Sequence, residues 1–368
     1  MERRAFLGLI GASLVSTTAS GQPAMRDWQT ASLEEAGLRP DLAERITQAF
    51  AAGEFKGLHG LVVTRHGKLA LEQYFPGADE VWGTGRGVVA FDASEKHDLR
   101  SVTKSIVGLL YGIALDAKMV PAPDTLLLDA FPEYPDLSTD PARRKLTLAH
   151  VLSMTMGTEW DATLPYSDPR NSEIAMERAP DRYRFVLDRP IVRSPGESWT
   201  YSGGATALLG HLVAKGSGST LHDFAKATLF GPLGITDTIW IKGFDGRESA
   251  ASGLRMRPRD LARIGQLVLD HGSHDGRRVV APAWLETSHS RHARIEDGFD
   301  YGYQWYLGRL RSGPITIVAA GNGGQRMMIA PSLGLVAVVT AGNYNQPRAS
   351  RMPIKLITDY VVAGLTAR

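Results

Sequence analysis

The stretch Leu99-Arg100-Ser101-Val102-Thr103-Lys104-Ser105-Ile106-Val107-Gly108-Leu109-Leu110-Tyr111-Gly112-Ile113-Ala114-Leu115 decides how the rest of the chain reads. From Ser101 to about Ala117 it predicts one helix, apolar on nearly every side. A helix without a polar face belongs at the centre of a domain. Ser101 and Lys104 stand at i and i+3 and share a face of that helix. A serine in the first turn places its own N–H at the positive end of the helix, where an oxyanion is stabilised. A lysine one turn into a buried helix is costly to keep charged and tends to lose its proton. A neutral amine beside a hydroxyl is a general base. Ser-x-x-Lys is common by chance, and the plain alternative is a serine N-cap with a solvated lysine. The apolar surroundings argue for the chemical reading.

Outward from this helix, the pattern becomes a layout. Residues 32–53 read as a helix through Leu33, Ala36, Leu38, Leu42, Ile46 and Phe50, interrupted near its start by Pro40. The runs 61–64 and 69–74 flank His66-Gly67-Lys68 and predict a hairpin. Residues 76–97 are Gly-rich and read as irregular. On the other side, 120–250 is helix and loop, with helices at 147–154 and 204–215, and a further helix covers 258–269. Short β-rich runs follow at 301–307, 315–320, 327–330 and 335–340, then a last helix over 350–365. Strands near both ends predict an α+β fold. One antiparallel sheet is built from both chain ends and flanked by helices, with a mostly helical insertion at about 121–250. No linker is visible, so 27–368 is expected to be one domain.

Two more segments carry candidate chemistry. In Ser194-Pro195-Gly196-Glu197-Ser198-Trp199-Thr200-Tyr201-Ser202-Gly203-Gly204 a Pro-Gly turn leads to a tyrosine just before a helix. A tyrosine near a lysine can shuttle a proton, since the cation favours phenolate; the alternative is a core ring whose hydroxyl finds a backbone partner. Gly321-Asn322-Gly323-Gly324-Gln325 lies between two β-rich runs, where glycines let a ligand approach the backbone. A phosphate loop needs a following helix, and here a strand follows.

Composition excludes several classes. The 41 Lys and Arg nearly balance 39 Asp and Glu, leaving no electrostatic footprint for nucleic acid. The cluster Arg255, Arg257, Arg259 and Arg263 reads as a solvated helix face with ion pairs. Without cysteine there are no disulfides, no thiolate catalysis and no Cys-based zinc site. His271-x-x-His274 and His289-x-x-His292 lie in polar stretches without a metalloenzyme carboxylate pattern, so no metal and no cofactor is expected. There is no G-x-S-x-G elbow. Arg3-Arg4-Ala5-Phe6-Leu7, an apolar stretch to Val15 and small residues Thr17-Thr18-Ala19 read as an export signal over residues 1–22, too short to stay as a membrane anchor. The paired arginines resemble a twin-arginine signal. A periplasmic or secreted protein with no membrane span in the mature chain is expected.

In this order, the elements resemble the serine β-lactamase and penicillin-binding family, in particular its esterase-like and aminohexanoate-oligomer-hydrolase-like branch. The resemblance runs from about 58 to 345. Leu99 to Ser105 is similar to the family's nucleophile motif, Pro195-Gly196 through Tyr201-Ser202 to its second motif, and Gly323-Gly324-Gln325 to its third. Leu148 to Asp161 and Ser252 to Arg263 are also family-like. The resemblance implies Ser101 as nucleophile, activated by Lys104 with Tyr201, and an oxyanion hole of the Ser101 and Gln325 backbone N–H groups. The substrate is expected to be a small ester or amide. Trp160, Tyr166, Gly203, Asn322, Gly323, Gly324 and Trp305 are the expected substrate contacts, with Tyr166 on a 161–172 loop long enough for a lid. There are two departures. The second motif often reads Tyr-x-Asn, and Gly203 stands in the third place here. The third motif of β-lactamases and D,D-peptidases begins with a cation, where this chain has Asn322. A β-lactam carboxylate would lose a partner often worth about 1.5–3 kcal/mol, so weak or absent β-lactamase activity is expected. A D,D-peptidase or penicillin binder, and a non-catalytic ligand-binding relative, are the alternatives.

Overall fold

The computed structural model describes residues 28–295, 298–310 and 313–366; the expected export signal at 1–22 lies outside them. An eight-stranded antiparallel sheet forms the middle layer. Its strands in chain order are β1 (Leu58–Arg65), β2 (Lys68–Tyr74), β3 (Ala293–Arg294), β4 (Asp300–Tyr301), β5 (Tyr306–Arg309), β6 (Ile315–Gly321), β7 (Gln325–Ala330) and β8 (Leu335–Ala341). The spatial order is β3-β4-β5-β6-β7-β8-β1-β2, so the first strand pairs with the last. In that seam Leu61 faces Val339, Val62 faces Val338 and Val63 faces Ala337.

Side chains alternate between the faces of a strand, and both faces of this sheet are covered. Val62, Met327, Ile329, Val336 and Val338 enter one core with the central helices. Leu61, Val63, Met328, Ala337 and Val339 enter a second core with the terminal ones. That is why β8 is apolar but for Thr340, with every residue buried. The second core is closed by α1 (Leu42–Ala51) and by α7 (Arg351–Lys355), which continues as a wider π-type helix over Leu356–Val362.

The first core is built on α2 (Val102–Asp116), most of whose residues are buried. It packs against α5 (Gly203–Ser217) and β6, with α3 (Leu148–Leu152) and α4 (Ser172–Arg178) beyond α5. α6 (Pro258–Leu269) lies on β1, β7 and β8. Close helix packing depends on small residues. A Cβ on Gly112 would stand 2.0 Å from Trp284 Cδ1, and one on Gly204 2.6 Å from Trp160 Cη2.

Four local expectations differ from the structure. Residues 33–37 form a turn, and the first helix begins at Leu42, beyond Pro40. Gly77–Val81 and Thr84–Val89 form an antiparallel hairpin whose turn residues Trp82 and Gly83 both have positive φ. Its strands are largely exposed and interrupted by Gly77, Gly85 and Gly87, so no alternation marks them. The run 301–307 is broken at Gly302–Trp305, where Gln304 has φ +65° and its side chain binds Leu152 O at 3.0 Å and Thr206 Oγ1 at 2.7 Å. The arginine cluster is ion-paired but not uniformly solvated. Arg255 belongs to a short strand, is 5% exposed and pairs with the buried Asp98. Arg257 pairs with Asp260, Arg259 with Glu72, and Arg263 lies over the Trp28 ring.

Candidate active site

Three distant segments meet at the start of α2. Ser101 occupies the N-cap position, but its hydroxyl makes no capping bond. Tyr201 Oη donates to Ser101 Oγ at 2.5 Å, and Lys104 Nζ donates to the same oxygen at 3.1 Å. Lys104 is 3% exposed. Its amine also binds the Ala251 carbonyl at 2.9 Å and lies 4.8 Å from the centre of the Tyr201 ring. The solvated-lysine alternative therefore does not describe this chain.

The turn into α2 is held in an unusual conformation. Arg100 has φ +49°, a left-handed conformation that costs a non-glycine residue roughly 1–2 kcal/mol. Its guanidinium is fixed by Glu80 at 2.6 Å and Asp98 at 3.2 Å and lies over the Tyr344 ring. These contacts hold the backbone where Ser101 faces the cavity.

Burial governs the local acidity. It pushes the Lys104 amine below the ordinary lysine range, against the electrostatic pull of Glu173, Tyr166 and Glu177. Burial, then the charge of Glu173, raises the Tyr201 phenol above its usual value, while its bond to Ser101 acts the other way. Burial of the ring thus acts against the phenolate that a neighbouring cation would favour.

The Gly-rich turn lies across from α2. Gly323 and Gly324 have φ of +90° and +99°, which side chains tolerate poorly. The Gln325 side chain ties β7 to β8, binding both the N–H and the C=O of Ala341. Asn322 is engaged with Asn345 by two hydrogen bonds, at 2.6 and 2.9 Å.

A cavity of about 250 Å³ opens over Ser101, lined also by Tyr166, Tyr201, Tyr306, Asn322, Gly324, Gln325 and Arg326. Tyr166 is 38% exposed at its mouth. The other expected contacts lie outside this lining. Trp305 is fully buried, edge-on to His289, because the turn after β4 directs its ring into the core. Trp160 is buried against Gly204 and binds Glu173 Oε1 through its indole N–H at 3.1 Å. Gly203 is buried with its N–H on Glu173 Oε1 at 2.6 Å, and the Gly323 carbonyl accepts from Asn343. Sequence reasoning missed Glu173, Tyr306 and Arg326. Tyr306 lay within a recognised β run, but nothing in the local pattern placed the other two.

A larger cavity, about 710 Å³, lies along α5 between Arg182, His211, Lys215 and Arg247, and none of the expected site residues lines it. Among the described residues, metal-ligating atoms gather at His59, Asp79 and His97, within 4.8 Å of one another and buried. They already serve one another and their neighbours. His59 and His97 share a 2.9 Å hydrogen bond, and Asp79 is held by Arg86 and Tyr344.

A central sheet with a helical layer over Ser101, Lys104 and Tyr201 is the arrangement of the serine β-lactamase-like class. A family model described as Beta-lactamase matches residues 42–357, and the chain belongs to that family. Over 273 residues it is 26% identical to 6-aminohexanoate-dimer hydrolase of Paenarthrobacter ureafaciens, covering 67% of this chain and 66% of the relative. The matched regions make up 66%, 44% and 44% of the length of three such curated relatives. The fold is shared with simvastatin synthase of Aspergillus terreus, at TM-score 0.65 and 17% identity over 88% of this chain and 97% of that one. It is also shared with an octameric penicillin-binding protein homologue of Pyrococcus abyssi, at TM-score 0.65 and 16% identity over 88% and 76%.

Proposed function

We propose that the protein is an exported serine hydrolase that cleaves a small ester or amide through an acyl-enzyme on Ser101. One observation carries the reading: the Ser101 hydroxyl is shared by Tyr201 and a buried Lys104 at the floor of a cavity. In the proposed reaction Ser101 Oγ bonds to the substrate carbonyl carbon as its proton passes to neutral Lys104. The backbone N–H groups of Ser101 and Gln325 receive the oxyanion. Collapse breaks the bond to the alcohol or amine, which takes the proton back from Lys104 through Tyr201. Water then repeats the sequence on the acyl-enzyme.

Lys104 is the base in this scheme, and Tyr201 a neutral relay, because burial moves them in opposite directions. Asn322 stands where the third motif of β-lactamases has its cation, and Arg326 is the basic residue that lines the cavity; the missing motif cation favours esters and linear amides over β-lactams. Asn322, Gly324, Tyr166 and Tyr306 are the proposed substrate contacts on the cavity wall.

A fluorophosphonate probe is expected to label Ser101, and Ser101→Ala to abolish hydrolysis of a chromogenic short-chain ester. Intact hydrolysis in that variant refutes the proposal. Stable labelling by fluorescent penicillin would move the assignment to a D,D-peptidase or penicillin binder. A folded protein that no acylating probe labels would be a ligand-binding relative.

A further inference from the structure

Glu173 belongs to none of the motifs above, yet its carboxylate is held on the backbone of Gly203, two residues after Tyr201. It is only 8% exposed. Among the described residues no lysine, arginine or histidine forms an ion pair with it, whereas Glu177, one turn further along α4, is met by Arg182 at 3.1 Å and Ser249 at 2.6 Å. The partners of Glu173 are uncharged donors: Oε1 accepts from Gly203 N at 2.6 Å and from Trp160 Nε1 at 3.1 Å. Oε2 fills the space above the Gly203 Cα, where a Cβ would stand 1.8 Å away. Gly203 opens α5 two residues after Tyr201, whose ring covers the Lys104 amine. A buried carboxylate left without a cation is costly unless a charge develops beside it.

We propose that Glu173 is the counter-ion of Lys104, a positioning residue that holds the ammonium formed when the Ser101 proton moves to the amine. The O–H bond of Ser101 breaks, an N–H bond forms on Lys104, and the negative charge of Glu173 balances the new cation without itself taking a proton. The absence of a side chain at Gly203 is what leaves room for the carboxylate. The inference rests on the reading of Lys104 as the base.

The Lys104 amine touches Ser101 on its own helix, the ring of Tyr201 from the segment before α5 and the neutral Ala251 carbonyl, while Glu173 and Glu177 from α4 and Tyr166 from the loop act on it electrostatically from beyond ion-pair distance. Of the two carboxylates, Glu173 acts on Lys104 more strongly, and Glu177 is already paired. Glu173 holds the amine's proton affinity up, so removing its charge lowers the pH at which Lys104 becomes neutral.

The test is the pH profile of kcat/KM on a chromogenic short-chain ester for the wild type, Glu173→Gln and Glu173→Asp. In Glu173→Gln the acid limb is expected to move down by about one pH unit or more, the effect of losing an opposite charge nearby. Its plateau is expected to fall by about tenfold or more, one pKa unit of lost stabilisation of the ammonium. Glu173→Asp keeps the charge and is expected to keep the limb within a few tenths of a unit, on the order of the weaker coupling at slightly longer range. Equal losses in both variants with an unmoved limb overturn the proposal and leave Glu173 a structural residue. If Glu173→Gln does not fold, Gly203→Ala is read instead, since its Cβ displaces the carboxylate. A downward limb supports the proposal and an unmoved limb overturns it. Failure of a fluorophosphonate to label wild-type Ser101 would instead defeat the underlying assignment.

Discussion

Replacing Lys104 by methionine separates what this side chain does for the reaction from what it does for the fold. The amine has two partners, the Ser101 hydroxyl at 3.1 Å and the Ala251 carbonyl at 2.9 Å. Methionine has similar length and no donor. The general base is lost, and such groups contribute about 10²–10⁴-fold, which at 1.36 kcal/mol per decade is about 3–5 kcal/mol of barrier. Stability should move far less. The Ala251 carbonyl loses a donor, at about 1–3 kcal/mol, but a 97%-buried amine is replaced by a thioether that needs no hydration. The two effects oppose each other, so Tm is expected to stay within a few degrees, about 2–4 °C per kcal/mol for a chain of this size. The assay is kcat/KM for a chromogenic short-chain ester, with the rate of fluorophosphonate labelling of Ser101 and calorimetric Tm on the same samples. A Lys104→Met protein that keeps more than about a tenth of wild-type kcat/KM would refute the base assignment, since even the weakest general base supplies about 10²-fold.

Asp98→Ala should destabilise the protein by about 3–5 kcal/mol in urea unfolding, the cost of stranding a buried ion-pair partner; it strands Arg255 and leaves Arg100, beside the nucleophile, with Glu80 as its one carboxylate partner, so kcat should fall too. Stability should drop as the pH falls from about 6.5, because burial holds the His59 imidazole down to about 3 while the unfolded chain takes up a proton at its ordinary value. The loss approaches about 1.4 kcal/mol per pH unit for this group, and an unchanged urea midpoint between pH 7 and pH 5 would refute the network's neutral state. Tyr306→Ala should raise KM for ester substrates while Trp305→Phe leaves it unchanged, since only Tyr306 lines the cavity. Gly112→Ala should cost about 1–3 kcal/mol by overpacking, read as a lowered Tm, because its Cβ meets the Trp284 ring.

Much of this molecule was legible where the physics is local. The buried helix with Ser101 and Lys104 on one face needed only helical spacing and a run of apolar residues, and the structure keeps both. The β1–β2 hairpin, the strands β6 to β8 and helices α5 and α6 follow from periodicity and turn residues within one segment. The α+β class followed because β-rich runs cluster at the two ends of the chain, and β1 does pair with β8. The exposed hairpin at Gly77–Val89 escaped because its stability comes from backbone pairing, which leaves little mark on composition.

What tertiary structure alone decided is which distant side chains share the cavity and what their surroundings do to them. Trp305 and Tyr306 are neighbours in sequence, but the turn after Tyr301 sends one ring into the core and the other to the cavity. Burial raises the Tyr201 phenol, an effect no motif encodes because it sums over every atom that excludes water. Glu173 reaches Gly203 across 30 residues of sequence. Spacing along a helix fixes which side chains share its face, whereas the partner that approaches from another element depends on how the whole core closes.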